Sequence, residues 1–196
     1  MFRFLNLVVL GIVIAAAMCQ PAHSQQRAGL LYDELQSGAV GSYAQWTENV
    51  AVTVFHNPAN STLFGVECAD VKFIARKGTP LQWAEGTLDD QVVAVGFSAL
   101  EDREGVAKHE VSGKVNHSVV PLCELGGRSY LTYLMMFDGQ ALPGMSGGPV
   151  FRAKDGRAIG IVKGTHRDLH TTAFVTYEMI KKAWDYGRLN GLVPNP

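Results

Sequence analysis

The feature that most constrains the fold is a succession of short strand-like segments separated by glycine and proline. β-Branched and aromatic residues dominate each segment, as they do in strands. The predicted strands are residues 50–55, 71–75, 91–97, 111–115, 129–137, 149–151 and 159–163. Asp155-Gly156, between the last two, predicts a tight hairpin. Many short strands with little helical periodicity predict an all-β barrel or sandwich.

Helical periodicity is found near the end of the chain. From residue 172 to residue 189, Val175, Met179 and Ala183 recur at a spacing of four, and other apolar side chains widen the stripe. This spacing places them on one face of a helix. We therefore predict a terminal helix that packs on the β core.

Residues 1–24 have the layout of a secretory signal. A basic start at Arg3 is followed by an apolar stretch over 5–18 and by the small-residue tripeptide Ala22-His23-Ser24. This stretch of 14 residues is short for a membrane span, which needs about 20. We predict that this segment is cleaved, that the protein is secreted or periplasmic, and that no membrane span remains.

Composition excludes several classes of protein. With 17 basic and 18 acidic side chains and 47% hydrophobic residues, the chain is an ordinary globular one, long enough for one large domain or two small barrels. A nucleic-acid binder driven by basic charge, a disordered tail and a disulfide-knotted mini-protein are excluded. Cys68 and Cys123 remain after the signal; a disulfide is possible in an oxidising compartment, but we expect two separate, mostly buried thiols.

The segment that carries chemistry is Leu-Pro-Gly-Met-Ser-Gly-Gly-Pro-Val at 142–150. Glycines on both sides of Ser146 expose its hydroxyl on a tight turn and let main-chain N–H groups point together. A hydrolase needs both features, a nucleophile and donors for the developing oxyanion.

This segment resembles the nucleophile loop of the trypsin-like (chymotrypsin-fold) serine proteases, in particular short secreted bacterial members. The match is Gly-x-Ser-Gly-Gly-Pro-Val at 144–150, followed by a hairpin and Gly-Ile-Val-Lys-Gly at 160–164. The α/β-hydrolase elbow also fits 144–148, but it requires a helix directly after the serine. Here Pro149 and a predicted strand follow, so the protease resemblance is preferred.

The resemblance extends upstream to a histidine and an aspartate. Thr53 and His56 match the family's strand ending in Thr-x-x-His, and Asp70 matches the aspartate that opens a hydrophobic strand. It implies that His56, Asp70 and Ser146 are catalytic, with the N–H groups of Gly144 and Ser146 as the oxyanion hole. The interval between His56 and Asp70 lacks the one or two extra strands usual in the family. Either the first barrel is compact or one assignment is wrong.

The resemblance also implies a substrate pocket beside the nucleophile. Asp138 near its floor favours a basic substrate side chain, whereas Lys163 or His166 in its wall favours an acidic one. These charges oppose each other, so no specificity is predicted. The residues implied to contact substrate are Gln140, Val162, Lys163 and Gly164.

Two further features of the sequence bear on activation and metal binding. Met145 stands where the animal digestive members carry an acid, so activation by a freshly cut N-terminus is not predicted. His166 and His170 have a metal-binding spacing for a helix, but the glutamate that the metalloprotease motif requires is missing. We predict a solvated loop there and no metal.

These observations together predict a two-barrel chymotrypsin-like fold. Residues 25–88 form a compact first barrel, 89–171 a second barrel with the nucleophile loop, and 172–196 the helix and tail. The predicted function is that of a monomeric secreted serine endopeptidase that cleaves protein or peptide substrates through an acyl-enzyme, without a cofactor. The alternatives are a catalytically inactive binding module of the same fold and a serine esterase.

Overall fold

The structure, a computed structural model, describes residues 28–33, 38–99, 106–120, 122–125, 127–131 and 134–193. The predicted signal at 1–24 lies outside these residues. The elements in chain order are β1 (Ala28–Asp33), β2 (Gly38–Gln45), β3 (Val50–Thr53), β4 (Thr62–Val66), β5 (Val71–Ala75), β6 (Gln91–Ala99), β7 (Val106–Val119), β8 (Leu122–Leu125), β9 (Arg128–Leu131), β10 (Leu134–Phe137), β11 (Pro149–Arg152), β12 (Ala158–His166), β13 (Thr171–Thr176) and α1 (Tyr177–Leu189). Single 3₁₀ turns at Glu67–Ala69 and Arg167–Leu169 precede β5 and β13.

The first five strands form one antiparallel sheet in the order β1-β2-β3-β5-β4. Strands β3 and β5 lie inside this sheet and are buried at almost every position, which explains their mostly apolar sequence. Val52 pairs with Phe73, and Thr53 pairs with Lys72. The end of β3 therefore lies beside the start of β5, and the 14-residue interval between His56 and Asp70 needs to hold only β4 and one 3₁₀ turn.

The second unit is a closed barrel in the order β10-β13-β12-β11-β6-β7. The predicted hairpin is present, since β11 pairs with β12 and Gly156 adopts a left-handed φ of 68° between them. Strands β8 and β9 form a separate two-stranded ribbon. The predicted all-β, two-barrel chymotrypsin-like fold with a C-terminal helix is confirmed; among the described residues the first unit is a five-stranded sheet and the second a closed barrel.

The helix begins later than predicted. Residues 171–176 extend β13, with Phe174 and Val175 buried in the barrel, and α1 starts at Tyr177 instead of at residue 172. The segment Thr-Thr-Ala-Phe-Val-Thr is rich in β-branched residues, which favour strands. Thr176 ends the strand and caps the helix, because its side chain accepts a hydrogen bond from the Met179 N–H.

The helix packs between the two units, against β12 and β13 of the barrel and β4 and β5 of the first sheet. Met179, Ile180 and Ala183 share one buried cluster with residues of the core strands β3 and β5. Trp46 packs against this cluster, with its ring centroid 5.1–6.2 Å from those of four other aromatic side chains, Phe73, Trp83, Tyr177 and Trp184. No helix within the described residues is long and apolar enough to cross a membrane.

The expectation of two separate cysteine thiols was wrong. Cys68 and Cys123 form a disulfide with their Cα atoms 5.3 Å apart. The 3₁₀ turn that holds Cys68 lies against β8, which holds Cys123, and 55 residues of chain separate the two. Only the tertiary fold brings them together.

Candidate active site

His56 follows β3 by three residues and faces the cleft between the two units. Its Nδ1 atom lies 3.0 Å and 3.1 Å from the two carboxylate oxygens of Asp70. The backbone N–H of His56 also donates to Asp70, at 3.2 Å. About half of the His56 side chain is exposed, so the ring is held on its Nδ1 side and open to solvent on the other.

Asp70 is positioned by the 3₁₀ turn before β5. It occupies the C-cap of that turn with a left-handed φ of 54°, a conformation that aspartate tolerates better than most residues. Its side chain is only 9% exposed. Burial opposes ionisation, but hydrogen bonds from His56 and Lys163 and the charge of Lys163 outweigh it and lower the pKa of Asp70 to about 2. The carboxyl is therefore a stable anion.

Lys163 lies in β12 of the second unit, and its Nζ atom donates to Asp70 Oδ2 at 2.9 Å. Sequence reasoning assigned Lys163 to the substrate pocket, whereas the structure places its ammonium group on Asp70. A lysine inside the apolar run Ile-Gly-Ile-Val-Lys at 159–163 signals that some acid must pair with it. The sequence does not indicate which acid that is.

Ser146 lies on the turn between β10 and β11. Gly144 and Gly147 adopt left-handed φ angles of 91° and 87° there. A Cβ atom at Gly147 would lie 2.1 Å from the Ser42 carbonyl oxygen and 2.2 Å from Thr53 Oγ1. Glycine at this position is therefore required both by the backbone conformation and by close contact with the first sheet.

A buried polar network holds the Ser146 turn against the first sheet. The Ser146 carbonyl accepts hydrogen bonds from the Ser42 N–H at 2.9 Å and from Asn57 Nδ2 at 2.8 Å. Asn57 Nδ2 also donates to Thr53 Oγ1 at 3.0 Å, and Ser42 Oγ donates to the Gly144 carbonyl at 2.9 Å. Sequence reasoning missed Ser42 and Asn57, although the position of Asn57 directly after His56 was a usable signal.

Some backbone N–H groups of the turn are hydrogen-bonded within the fold, and others are free. The N–H groups of Met145, Gly147 and Gly148 donate to backbone carbonyls of the fold. Those of Gly144 and Ser146 donate to no acceptor in the described part of the chain. These two free N–H groups are the donors that the resemblance implied for an oxyanion hole. Met145 is fully buried.

The Ser146 hydroxyl donates to the Lys163 carbonyl at 3.2 Å. Among the described residues, it makes no hydrogen bond to His56. Ser146 and His56 therefore line neighbouring cavities without a hydrogen bond between them. Such hydrogen bonds are often absent before substrate is bound.

Two cavities adjoin these residues. The first, of about 470 Å³, contains Ser146 and three of the four predicted substrate-binding residues, Gln140, Val162 and Gly164. The second, of about 460 Å³, contains His56, Asp70 and Lys163, with apolar walls from β7, β10 and β13. Gly164 and Thr165 line both cavities, so the two cavities adjoin at this part of β12, and we refer to them together as the groove.

Asp138 and His166, which gave opposite predictions of specificity, both lie outside the cavity beside Ser146. The Asp138 carboxylate accepts a hydrogen bond from the Lys114 N–H. His166 lines the second cavity instead. No group of three or more possible metal ligands occurs in the described ranges.

Comparison with known proteins identifies the family. The model of the trypsin-like peptidase domain matches residues 25–161, which is more than half of the chain. The chain belongs to the trypsin-like peptidase family. No curated protein matches it.

Solved structures show what this trypsin-like peptidase domain is similar to. The active form of the Rv3671c protease from M. tuberculosis is 15% identical, with a TM-score of 0.65 over 81% of this chain and 78% of that one. The MamO protease domain from Magnetospirillum magneticum is 17% identical, with a TM-score of 0.60 over 79% and 93%. The HtrA-type protease AlgW with a tripeptide is 17% identical, with a TM-score of 0.65 over 84% and 60%. At these identities the likeness concerns the fold alone.

Proposed function

We propose that this trypsin-like peptidase is a serine endopeptidase whose catalytic residues are His56, Asp70 and Ser146. The observation that carries the proposal is the pairing of His56 Nδ1 with both oxygens of the ionised Asp70 carboxyl. With the Nδ1 proton donated to Asp70, the neutral imidazole has its lone pair on Nε2 and acts as a base.

The reaction proceeds in two halves. When a peptide occupies the groove, the Ser146 hydroxyl leaves the Lys163 carbonyl and gives its proton to His56 Nε2 as Oγ attacks the substrate carbonyl carbon. The N–H groups of Gly144 and Ser146 stabilise the oxyanion, each by about 3–4 kcal/mol of barrier. His56 then protonates the leaving amine as the C–N bond breaks, and an acyl-enzyme remains. In the second half, water gives a proton to His56 and attacks the ester, and Ser146 recovers its proton.

We further propose that the enzyme works outside the cytoplasm as a monomer. The signal-like sequence at 1–24 supports export. The Cys68–Cys123 disulfide supports the same location, because such bonds persist in oxidising compartments.

The test is labelling with a fluorophosphonate, which reacts with a serine only when a base activates it. The wild-type protein should be labelled at Ser146, and both His56→Ala and Ser146→Ala should lose labelling. His117→Ala is the matched control, because His117 is exposed and its ring contacts only Asn116 among described polar groups. Labelling that survives His56→Ala would show that the base is another group.

Substrate class requires a second measurement. A peptide and the corresponding small ester should be compared with the same protein sample, because an esterase shares the nucleophile chemistry but hydrolyses only the ester. Hydrolysis of the internal peptide bond supports the endopeptidase.

One observation favours a second candidate, a non-catalytic binding module. The Ser146 hydroxyl is hydrogen-bonded to the Lys163 carbonyl, and within the described ranges no hydrogen bond joins it to His56. A folded wild-type protein that takes no fluorophosphonate and cleaves neither substrate would support this module and contradict the endopeptidase.

A further inference from the structure

The cavity beside Ser146 is placed to hold the substrate side chain that precedes the scissile bond. One wall is formed by residues 140–143, which lead into the nucleophile turn, and the other by Val162, Gly164 and Thr165 of β12. The turn after β12 adds Arg167 and His170 at the mouth. A side chain attached to a carbonyl that Ser146 attacks can enter this cavity directly.

Arg167 carries the one permanent charge among the residues that line the cavity, and that charge is positive. Arg167 and His170 are among its lining residues, and no aspartate or glutamate of the described chain is. The nearest acid in sequence is Asp168, which is exposed and does not line the cavity. Asp138 also lies outside the lining, and its carboxylate accepts a hydrogen bond from the Lys114 backbone N–H.

Arg167 is available to a ligand. Its guanidinium group makes no ion pair with any residue that the structure describes, whereas Arg152 and Arg157 both pair with Asp155. Lys163, the other cation near the cleft, is held by Asp70 and does not line this cavity. The positive charge open to substrate at this cavity therefore comes from Arg167.

His170 is oriented by a neighbour across the cavity. Gln140 Nε2 contacts His170 Nδ1 at 2.5 Å. Because the Gln140 amide donates to Nδ1, the neutral ring carries its proton on Nε2, where it is a hydrogen-bond donor. His170 is the C-cap residue of the 3₁₀ turn and has a left-handed φ of 50°. The backbone conformation therefore fixes the point from which its side chain extends.

We propose that this cavity binds a carboxylate side chain, so that the enzyme cleaves after glutamate or aspartate. The inference rests on the proposed endopeptidase function and names its substrate class. The Arg167 guanidinium presents a planar pair of donors that matches a carboxylate, and the His170 ring adds a third. A lysine or arginine side chain would meet the like charge of Arg167 and no acid among the lining residues.

The first experiment measures cleavage of one peptide series that differs only in the residue before the scissile bond, with Glu, Gln, Lys and Leu at that position. Glutamine is the key comparison, because it has the shape of glutamate without the charge. We expect kcat/KM for Glu to exceed that for Gln by about 10- to 100-fold, the range of a hydrogen bond to a charged group. Arg167→Gln should reduce this ratio to near one, and Arg167→Glu should favour Lys.

Arg188→Gln is the matched control, since Arg188 is exposed in the last turn of α1. It should leave the Glu-to-Gln ratio unchanged. Fastest cleavage after Lys or Leu would overturn the inference, as would a Glu-to-Gln ratio that Arg167→Gln does not alter. Ser146 would still be labelled by fluorophosphonate in those cases, so the endopeptidase function would stand.

A binding measurement tests the cavity without catalysis. Ser146→Ala is titrated with fluorescent peptide amides that end in Glu or Gln, and again with Arg167→Gln added. Tighter binding of the Glu peptide, lost with Arg167→Gln, supports the carboxylate site even if the wild-type protein proves inactive. Equal binding of the two peptides overturns it.

Discussion

Lys163 Nζ and Asp70 Oδ2 lie 2.9 Å apart and join the second unit to the first. The pair is formed between β12 and the start of β5, so it crosses the cleft in which catalysis is proposed. It also fixes the second oxygen of the carboxyl while His56 Nδ1 contacts both. Asp70 is thus held from two sides, and its rotation is restricted.

Asp70 should make stability sensitive to acid. The folded protein lowers the pKa of this carboxyl from 3.8 to about 2, so the folded state binds the proton more weakly than the unfolded state. The resulting stabilisation is present above about pH 4 and is lost as the pH falls through about 2. Lys163→Met raises the pKa of Asp70 and should lower the free energy of unfolding at pH 5 by on the order of 1 kcal/mol.

The measurement is urea unfolding of the wild-type protein and Lys163→Met from pH 5 to pH 2. The difference in the free energy of unfolding between the two proteins should decrease as Asp70 becomes protonated. Lys181→Met, which removes an exposed pair with Asp185, is the control and should change stability little. A difference that stays constant over this pH range would contradict the assignment.

Asn57→Ala should weaken the link between the Ser146 turn and the first sheet. The Ser146 carbonyl would keep the Ser42 N–H and lose the Asn57 amide. Loss of a buried hydrogen-bond partner destabilises by about 1–3 kcal/mol, and fluorophosphonate labelling should slow. Denaturant unfolding and the rate of labelling should be measured for Asn57→Ala and for a control, Asn190→Ala. The side-chain amide of Asn190 donates an exposed hydrogen bond to the Tyr186 carbonyl. Equal effects of the two variants would mean that the buried hydrogen bond contributes no more to stability than the exposed one.

Gly147→Ala should be much more harmful than a substitution at another left-handed glycine. Gly191 has a φ of 67° and open space around its Cα, whereas a Cβ at Gly147 would collide with the Ser42 carbonyl and Thr53. We expect about 1–2 kcal/mol of destabilisation for Gly191→Ala and about 2–5 kcal/mol for Gly147→Ala. Thermal unfolding measures both. Similar losses would show that the conformation alone, and not the close contact, requires glycine.

Reduction of the Cys68–Cys123 disulfide should destabilise the protein by about 4 kcal/mol, because the bond closes a loop of 55 residues. Cys68 lies two residues before Asp70, so labelling of Ser146 should also slow. The check is denaturant unfolding with and without dithiothreitol. The double variant Cys68→Ser/Cys123→Ser should have the same free energy of unfolding as the reduced protein, and dithiothreitol should not change it. An unchanged midpoint for the reduced wild-type protein would contradict the prediction.

The sequence predicts those parts of this fold whose signals are local. The glycines around Ser146, the β-branched run before His56 and the Asp155-Gly156 hairpin lie within a few residues of the features that they determine. Strands β1 and β2 were not predicted because glycine and alanine interrupt their pattern.

Contacts between distant segments could not be predicted from the sequence. Ser42 lies 102 residues from Gly144, and Lys163 lies 93 residues from Asp70. Nothing near Lys163 in the chain indicates that its partner is an aspartate of the other unit. Nothing near either cysteine in the chain indicates its partner, because their pairing depends on how the β8–β9 ribbon lies against the 3₁₀ turn that holds Cys68.

The position of α1 has a consequence for the order of events during biosynthesis. The core behind β3 and β5 includes side chains from Met179 to Trp184, which follow every strand in the chain. Because translation runs from the N-terminus, the strands that precede His56 and Asp70 are made long before the helix that completes their core. A nascent chain that has not reached Trp184 therefore lacks part of the core behind β3 and β5, the strands next to His56 and Asp70.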